Sequence, residues 1–352
     1  MGNSIRQLYF NPWNDLALAA GDPHYTPPAS ARQMARDLAG LPRLWGGEPF
    51  VPGAAQAPFV VWGWSPLLVR LLREAGVEER CLPTADQMDA YRAWSSRQTA
   101  VGLLQRLRTS CPEAFSSDGA LVGESSWCRT TAEVLEAHAR YGRSMLKAPW
   151  SGSGRGVHPV ATATLTPRNL AWVQRTLQRQ GGVEAEPLYE RVQDFALEFW
   201  AEEGHVRYEG LSLFATTPGG VYAGNLVASE DEKLRRLARY VNPALVRGLC
   251  TRLTHLLSTA HLPEWYTGPL GVDMMVVQPL LFWKGDYSPP CEGGAEGRGF
   301  LLHPLVEVNL RMTMGWVALQ LAPQLAADEV ATFRIGTADG HYRAFFDKNE
   351  PL

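Results

Sequence analysis

The sequence predicts a mixed α/β chain: a small parallel sheet at the N-terminus, followed by α+β structure. Three observations carry this expectation. Strand-like and helix-like segments alternate through the first third, the pattern of βα repeats. In the middle, the apolar strand at 145–148, which carries Lys147, runs straight into a glycine-rich segment at 151–156. Near the C-terminal end, 305–311 reads Leu-Val-Glu-Val-Asn-Leu-Arg. Its period of two puts Val306, Val308 and Leu310 on one face of a strand and Glu307, Asn309 and Arg311 on the other.

The elements follow in order. Residues 5–10 read as a strand that ends at the turn-rich Asn11-Pro12-Trp13-Asn14-Asp15. Tyr25-Thr26-Pro27-Pro28 is loop, and Ser30 is placed to cap a helix running through Leu38. A short strand at 59–62 precedes Ser65-Pro66, a cap followed by proline at the first helical position. That helix runs to Gly76. Residues 86–108 are helical, with Ser95-Ser96 able to start a new helix, and 109–119 is loop. Further helices are expected at 130–141, 167–179 and 243–260. Further strands are expected at 183–188, 194–200, 208–215 and 271–277. Residues 284–299, rich in Gly, Pro and charge, read as a hairpin loop.

Bulk properties exclude several classes. The 352 residues allow two domains or one large one, and the hydrophobic share of 45% is that of a globular chain. A formal charge of -3 argues against a nucleic-acid binder held by bulk electrostatics. The five cysteines are scattered, without a Cys-x-x-Cys pair, which fits reduced thiols in a cytoplasmic protein. The N-terminal residues carry no signal-peptide pattern, and no apolar run is long enough to span a membrane. The eight histidines form no metal signature. His255 and His261 fall on different helix faces and read as structural, and His303 as the start of a strand.

Two groups of residues point to phosphate chemistry. The run Ser151, Gly152, Ser153, Gly154, Arg155, Gly156 lets backbone N–H groups approach an anion, with serine and arginine as added donors. It has neither Walker nor Rossmann spacing. A hairpin tip would use the same composition. Glu307 and Asn309 offer hard oxygen ligands beside the fixed cation Arg311, a set suited to a magnesium-bound phosphate. A half-buried strand with a solvated face would show the same alternation.

Taken together, a lysine on a strand, a glycine loop, a Glu-bearing strand, an acidic strand and then Glu-x-Asn resemble the ATP-grasp superfamily over roughly residues 95–320. The resemblance implies two ATP-grasp subdomains holding ATP and Mg2+ between them. It divides the chain into an N-terminal α/β domain at 1–95 and an ATP-grasp domain at 96–352. The glycine-loop subdomain would lie at about 130–190 and the metal-site subdomain at about 191–330. Lys147 matches the phosphate-binding lysine, and residues 151–156 match the loop over the phosphates. Glu186 and Leu188 match the hinge whose backbone reads adenine. Asp194 or Glu198 would contact ribose or support the metal. Arg97 resembles the basic residue at the edge of the phosphate site. Asp273, Glu307 and Asn309 match the magnesium ligands, and Arg311 the cation that steadies the transferring phosphoryl group. Two features depart from the family's pattern: Met312-Thr313-Met314-Gly315 follows the strand, and the Asn11–Asp15 and Tyr25–Pro28 segments match no acceptor signature.

The implied activity is ATP-dependent ligation of a small-molecule carboxylate to an amine, through an acyl phosphate. A nucleotide-binding module without ligase activity is the alternative, and a phosphotransferase on the same fold is a second. Base rates alone point to a homodimer if the chain oligomerises.

Overall fold

A parallel sheet with helices on its flanks opens the chain. The computed structural model describes residues 7–51, 59–152, 156–203, 205–217, 220–260, 262, 266–278 and 299–348. Ile5, the loop residues Ser153, Gly154 and Arg155, His261, Cys291 and most of the 284–299 hairpin lie outside them.

β1 (Gln7–Tyr9) stands between β2 (Glu48–Pro49) and β3 (Val60–Val61), and both pairings are parallel, as expected. Around them lie α1 (Asn14–Ala20), α2 (Ala29–Asp37) and α3 (Pro66–Glu74). The start of α3 is as predicted: Ser65 Oγ accepts from the Leu68 N–H at 3.3 Å. α2 differs, because Pro27 and Pro28 hold the chain extended up to the helix. It starts at Ala29 with no side-chain cap, so Ser30 lies inside it.

α4 (Ala85–Trp94) and α5 (Arg97–Ser110) break at Ser95–Ser96, where Ser96 Oγ accepts from the Gln98 N–H at 3.2 Å. A four-stranded antiparallel sheet follows, in the order β4, β7, β5, β6. Its members are β4 (Ser126–Cys128), β5 (Ser144–Lys147), β6 (Val157–Val160) and β7 (Val183–Pro187). The helices α6 (Thr131–Tyr141) and α7 (Pro167–Gln180) each begin with a threonine capping box. They cover the sheet around Val134, Leu146, Val173 and Val183.

The rest of the chain builds a seven-stranded sheet in the order β12, β11, β8, β9, β10, β13, β14, with antiparallel neighbours throughout. Its strands are β8 (Glu190–Glu202), β9 (His205–Thr216), β10 (Tyr222–Val227), β11 (Gly268–Gln278), β12 (Leu301–Asn309), β13 (Ala331–Ala338) and β14 (His341–Lys348). The helices are α8 (Glu230–Leu237), α9 (Pro243–Thr259) and α10 (Met314–Leu321). Phe195, Leu197 and Leu211 share a core with α5 and α9. Trp200 and Phe333 share another with Trp316 of α10 and Leu8 and Trp62 of the N-terminal sheet.

The expected strand at 305–311 needs two corrections: β12 ends at Asn309, so Leu310 and Arg311 lie just beyond it, and the alternation is broken by a bulge. The β11–β12 register runs from Asp273↔Glu307 to Met275↔His303, so residues 304–306 oppose Met274 alone. Pro304 lacks an N–H, and on an edge strand it is tolerated at such a bulge. Leu305 therefore joins Val308 and Leu310 in the large core, while Val306 packs with Val122, Met275 and Val277. Glu307 and Asn309 stay on one face, as predicted. Cys81, Cys111, Cys128 and Cys250 are free thiols. Among the described residues no helix is long and apolar enough to cross a membrane.

Candidate functional site

Register places most of the acidic candidates on one face of the large sheet. Residues directly opposite in a ladder share a face. Glu198 pairs with Gly271, which pairs with Asn309, and Ala196 pairs with Asp273, which pairs with Glu307. Asp194 and Glu198 lie on either side of Ala196 in the same period. Thus Asp194, Glu198, Asp273, Glu307 and Asn309 share one rigid surface. Asn309 Nδ2 donates to Asp273 Oδ2 at 3.0 Å, and the amide keeps its Oδ1 as a ligand atom. Burial and the neighbouring Glu307 push the Asp273 carboxyl up to about 7, against Arg311 and the Asn309 hydrogen bond.

Facing this surface is the small sheet with the N-terminus of α5. Lys147 and Arg97 are both buried there, at 5% and 4% exposure. Lys147 Nζ lies 2.8 Å from Glu186 and 3.7 Å from Glu184. Arg97 lies 2.9 Å from Glu307 and 3.9 Å from Glu184. It also donates to Ala148 O and Ser151 Oγ, both at 2.6 Å. Burial works against both cations, but the surrounding carboxylates outweigh it and hold each pKa above its ordinary value. Burial and the nearby Glu184 push Glu186 upward despite Lys147. His303, 3.9 Å from Glu186, is pushed down to about 3 by burial and by Lys147, so it is neutral. One network of two cations and three carboxylates therefore joins the two sheets.

A cleft opens at the edge of this network, lined by Asp15, Ser95, Trp150, Ser151, Glu307, Asn309 and Arg311. Ser151 forms its loop side. Gly156 sits at φ +73, a conformation that glycine adopts without strain, and its carbonyl accepts from the Ala148 N–H at 2.8 Å. Arg311 pairs with Asp15 through Nε at 2.9 Å and Nη2 at 3.1 Å.

Other candidates lie away from the cleft. Glu198 is enclosed by Gly271, Thr313 and Gly315 and accepts from the Thr313 hydroxyl at 2.8 Å. Burial pushes it up to about 8. Asp194 accepts from Thr216 at 2.7 Å and pairs with Arg191 at 3.2 Å; burial raises it as well. The Glu186–Leu188 backbone at the expected hinge is partly engaged. Pro187 has no N–H, and the Leu188 N–H donates to Arg143 O at 3.0 Å.

Sequence reasoning missed Asp15, Glu184 and the cleft wall at Ser95 and Trp150. One signal for Asp15 existed: it follows β1 in a parallel α/β unit, and ligands gather beyond the carboxyl ends of such strands. Glu184 gave none, because its role depends on the strand beside it.

No protein-family model and no curated protein sequence matches the chain. Several solved structures are similar to it. One is N5-carboxyaminoimidazole synthetase from Staphylococcus aureus complexed with ADP, at 11% identity and TM-score 0.47, covering 94% of this chain and 82% of that one. A second is carboxyaminoimidazole ribonucleotide synthase from Aspergillus clavatus complexed with ATP, at 13% identity and TM-score 0.46, covering 95% and 83%. A third is L-amino acid ligase from Bacillus licheniformis, at 13% identity and TM-score 0.41, covering 78% and 62%. Each likeness is one of overall architecture.

Proposed function

We propose that this chain is an ATP-grasp ligase that uses magnesium-ATP to activate a carboxylate as an acyl phosphate, which an amine or another nucleophile then attacks. The carrying observation is the shared face of Asp273, Glu307 and Asn309 beside Arg311, at a cleft whose far wall includes Ser151. The order of motifs along the chain, from Lys147 to Glu-x-Asn, supports it. The division into 1–95 and 96–352 belongs to the same proposal.

The residues present fit a magnesium-bound phosphate. Two carboxylates and a carboxamide oxygen are hard donors. Among the described residues, no group of three or more His, Cys, Asp or Glu is placed to hold a metal without help. Water and phosphate oxygens would complete the shell, which is how magnesium is usually held beside nucleotides. The bound nucleotide would supply a phosphoryl group and a leaving diphosphate. The chain's own work is positioning and charge. Asp273, Glu307 and Asn309 would hold the metal, and Arg311 would hold the anion at the reacting end. Arg97 and Lys147, kept charged by their carboxylates, add fixed positive potential behind it. Trp150 walls one side against water. No side-chain nucleophile is required.

Assaying ADP release with magnesium, against pools of small carboxylates and amines, tests this reading. ADP and phosphate that depend on added substrate are expected. Tight ATP binding with no turnover across broad pools would favour a nucleotide-binding module instead. Glu307→Gln is the sharper variant, because it removes the ligand charge while an amide oxygen can still accept from Arg97. Turnover should fall by roughly a hundredfold or more with the melting temperature little changed. A fully active Glu307→Gln enzyme would place the metal elsewhere.

A further inference from the structure

We propose that Asp15 is a positioning residue for Arg311, through which the N-terminal unit sets the geometry of the phosphoryl site. This rests on the ligase reading and adds a residue that no motif of the ATP-grasp resemblance includes. Asp15 grips one edge of the guanidinium, through Nε and Nη2. Arg311 Nη1 donates to Met312 O at 3.1 Å. An arginine has one Nε–H and two hydrogens on each Nη. Among the described residues, a second Nη1–H and a second Nη2–H remain to serve a bound anion. A bidentate pair fixes the plane of the fork as well as its position.

Asp15 is itself firmly held. The turn before α1 is tied to the end of β3, since Asn11 Nδ2 donates to Gly63 O at 2.8 Å. The chain just beyond Arg311 is tied to the same unit by the Met312 N–H, which donates to Trp62 O at 2.8 Å. Both partners of the ion pair are thus mounted on one support. Asp15 also touches the glycine loop. A Cβ added at Gly152 would overlap Asp15 Oδ2, so the bare backbone at Gly152 is what lets the loop and Asp15 close together. One carboxylate therefore meets both the fixed cation and the first turn of the loop.

The test is a cycle of Asp15→Asn, Arg311→Gln and the double variant, with Asp15→Glu and Gly152→Ala beside it. Calorimetric titration with Mg-ATP comes first, and binding by the wild type is expected. Asp15→Asn should lower kcat by ten- to a hundredfold, the size of effect that a misplaced group produces, with the KM for ATP changed by less than about threefold. In the Arg311→Gln background the same change should have no further effect. Asp15→Glu should recover part of kcat, and Gly152→Ala should repeat the Asp15→Asn defect. In the ligand-free wild type, the Arg311 Nε–H resonance should exchange slowly, and Asp15→Asn should abolish this protection. Wild-type kcat in Asp15→Asn, or effects that multiply in the double variant, would overturn the positioning role alone. A wild type that does not bind Mg-ATP would overturn the ligase reading and this proposal with it.

Discussion

Glu198 is 1% exposed and takes a hydrogen bond from Thr313, while its Oε2 has no hydrogen-bond partner among the described residues. Burial raises its pKa from the ordinary 4.5 to about 8. Below 4.5 the folded and unfolded chains are both protonated there, so the group contributes nothing to the pH dependence. Between 4.5 and 8 the unfolded chain has released the proton and the folded chain retains it. Stability therefore falls as pH rises through this window and levels off above it. Glu198→Gln removes the titration and leaves an oxygen to accept from Thr313. The variant should melt near the wild type at pH 4.5 and several degrees higher at pH 8. Thermal melts across that range check it, and a difference that does not change with pH would show that Glu198 is ionised in the folded protein.

At the scale of elements, the same carboxylate explains how α10 docks. A Cβ at Gly315 would overlap Glu198 Oε1 and press on Ser212, so the first turn of α10 reaches the sheet only because residue 315 is glycine. Gly315→Ala should cost about 1–3 kcal/mol as overpacking, read from urea denaturation; an unchanged midpoint would mean that the turn can move away freely. Elements of this kind were the ones the sequence concealed. α3 and the break at Ser95–Ser96 were legible, because their caps and proline act within a few residues of the helix they start. The parallel sheet was legible from its alternation with helices. The bulge at 304–306 was not, since a two-residue period shows nothing of how many residues the partner strand supplies. α10 and the β13–β14 hairpin were missed as well, and both settle against distant strands. The candidate site divided along the same line. Asp273, Glu307 and Asn309 stood out as polar residues inside apolar strands, whereas Asp15 had only its place after β1 to mark it, and its partner lies 296 positions away.

Across the whole molecule, Arg97 acts as the joint between sheets. Its guanidinium meets Glu307 on β12, Glu184 on β7 and the 148–151 segment at once. On the far side, the N-terminal unit is clasped by the C-terminal hairpin, where Asp37 accepts from the Tyr342 N–H at 2.9 Å and lies 3.2 Å from His341. The two joints differ in weight. The Asp37 contact reaches an exposed histidine, and solvent-exposed contacts of that kind contribute little. Arg97 and Glu184 are buried, so removing the cation leaves Glu184 only Lys147 and Ser125 among the described residues and takes from the partly exposed Glu307 its Arg97 pair. Arg97→Ala should therefore destabilise the chain by about 3–5 kcal/mol, while Asp37→Asn should cost clearly less. Arg97→Lys should fall between wild type and Arg97→Ala, because an ammonium restores the charge but not a fork able to reach both acids and the loop carbonyl. Urea denaturation of the three variants gives the order directly. If Arg97→Ala proved no more costly than Asp37→Asn, the buried network would not be what holds the small sheet against the large one, and the hydrophobic packing of α5 against β12 would have to carry that joint.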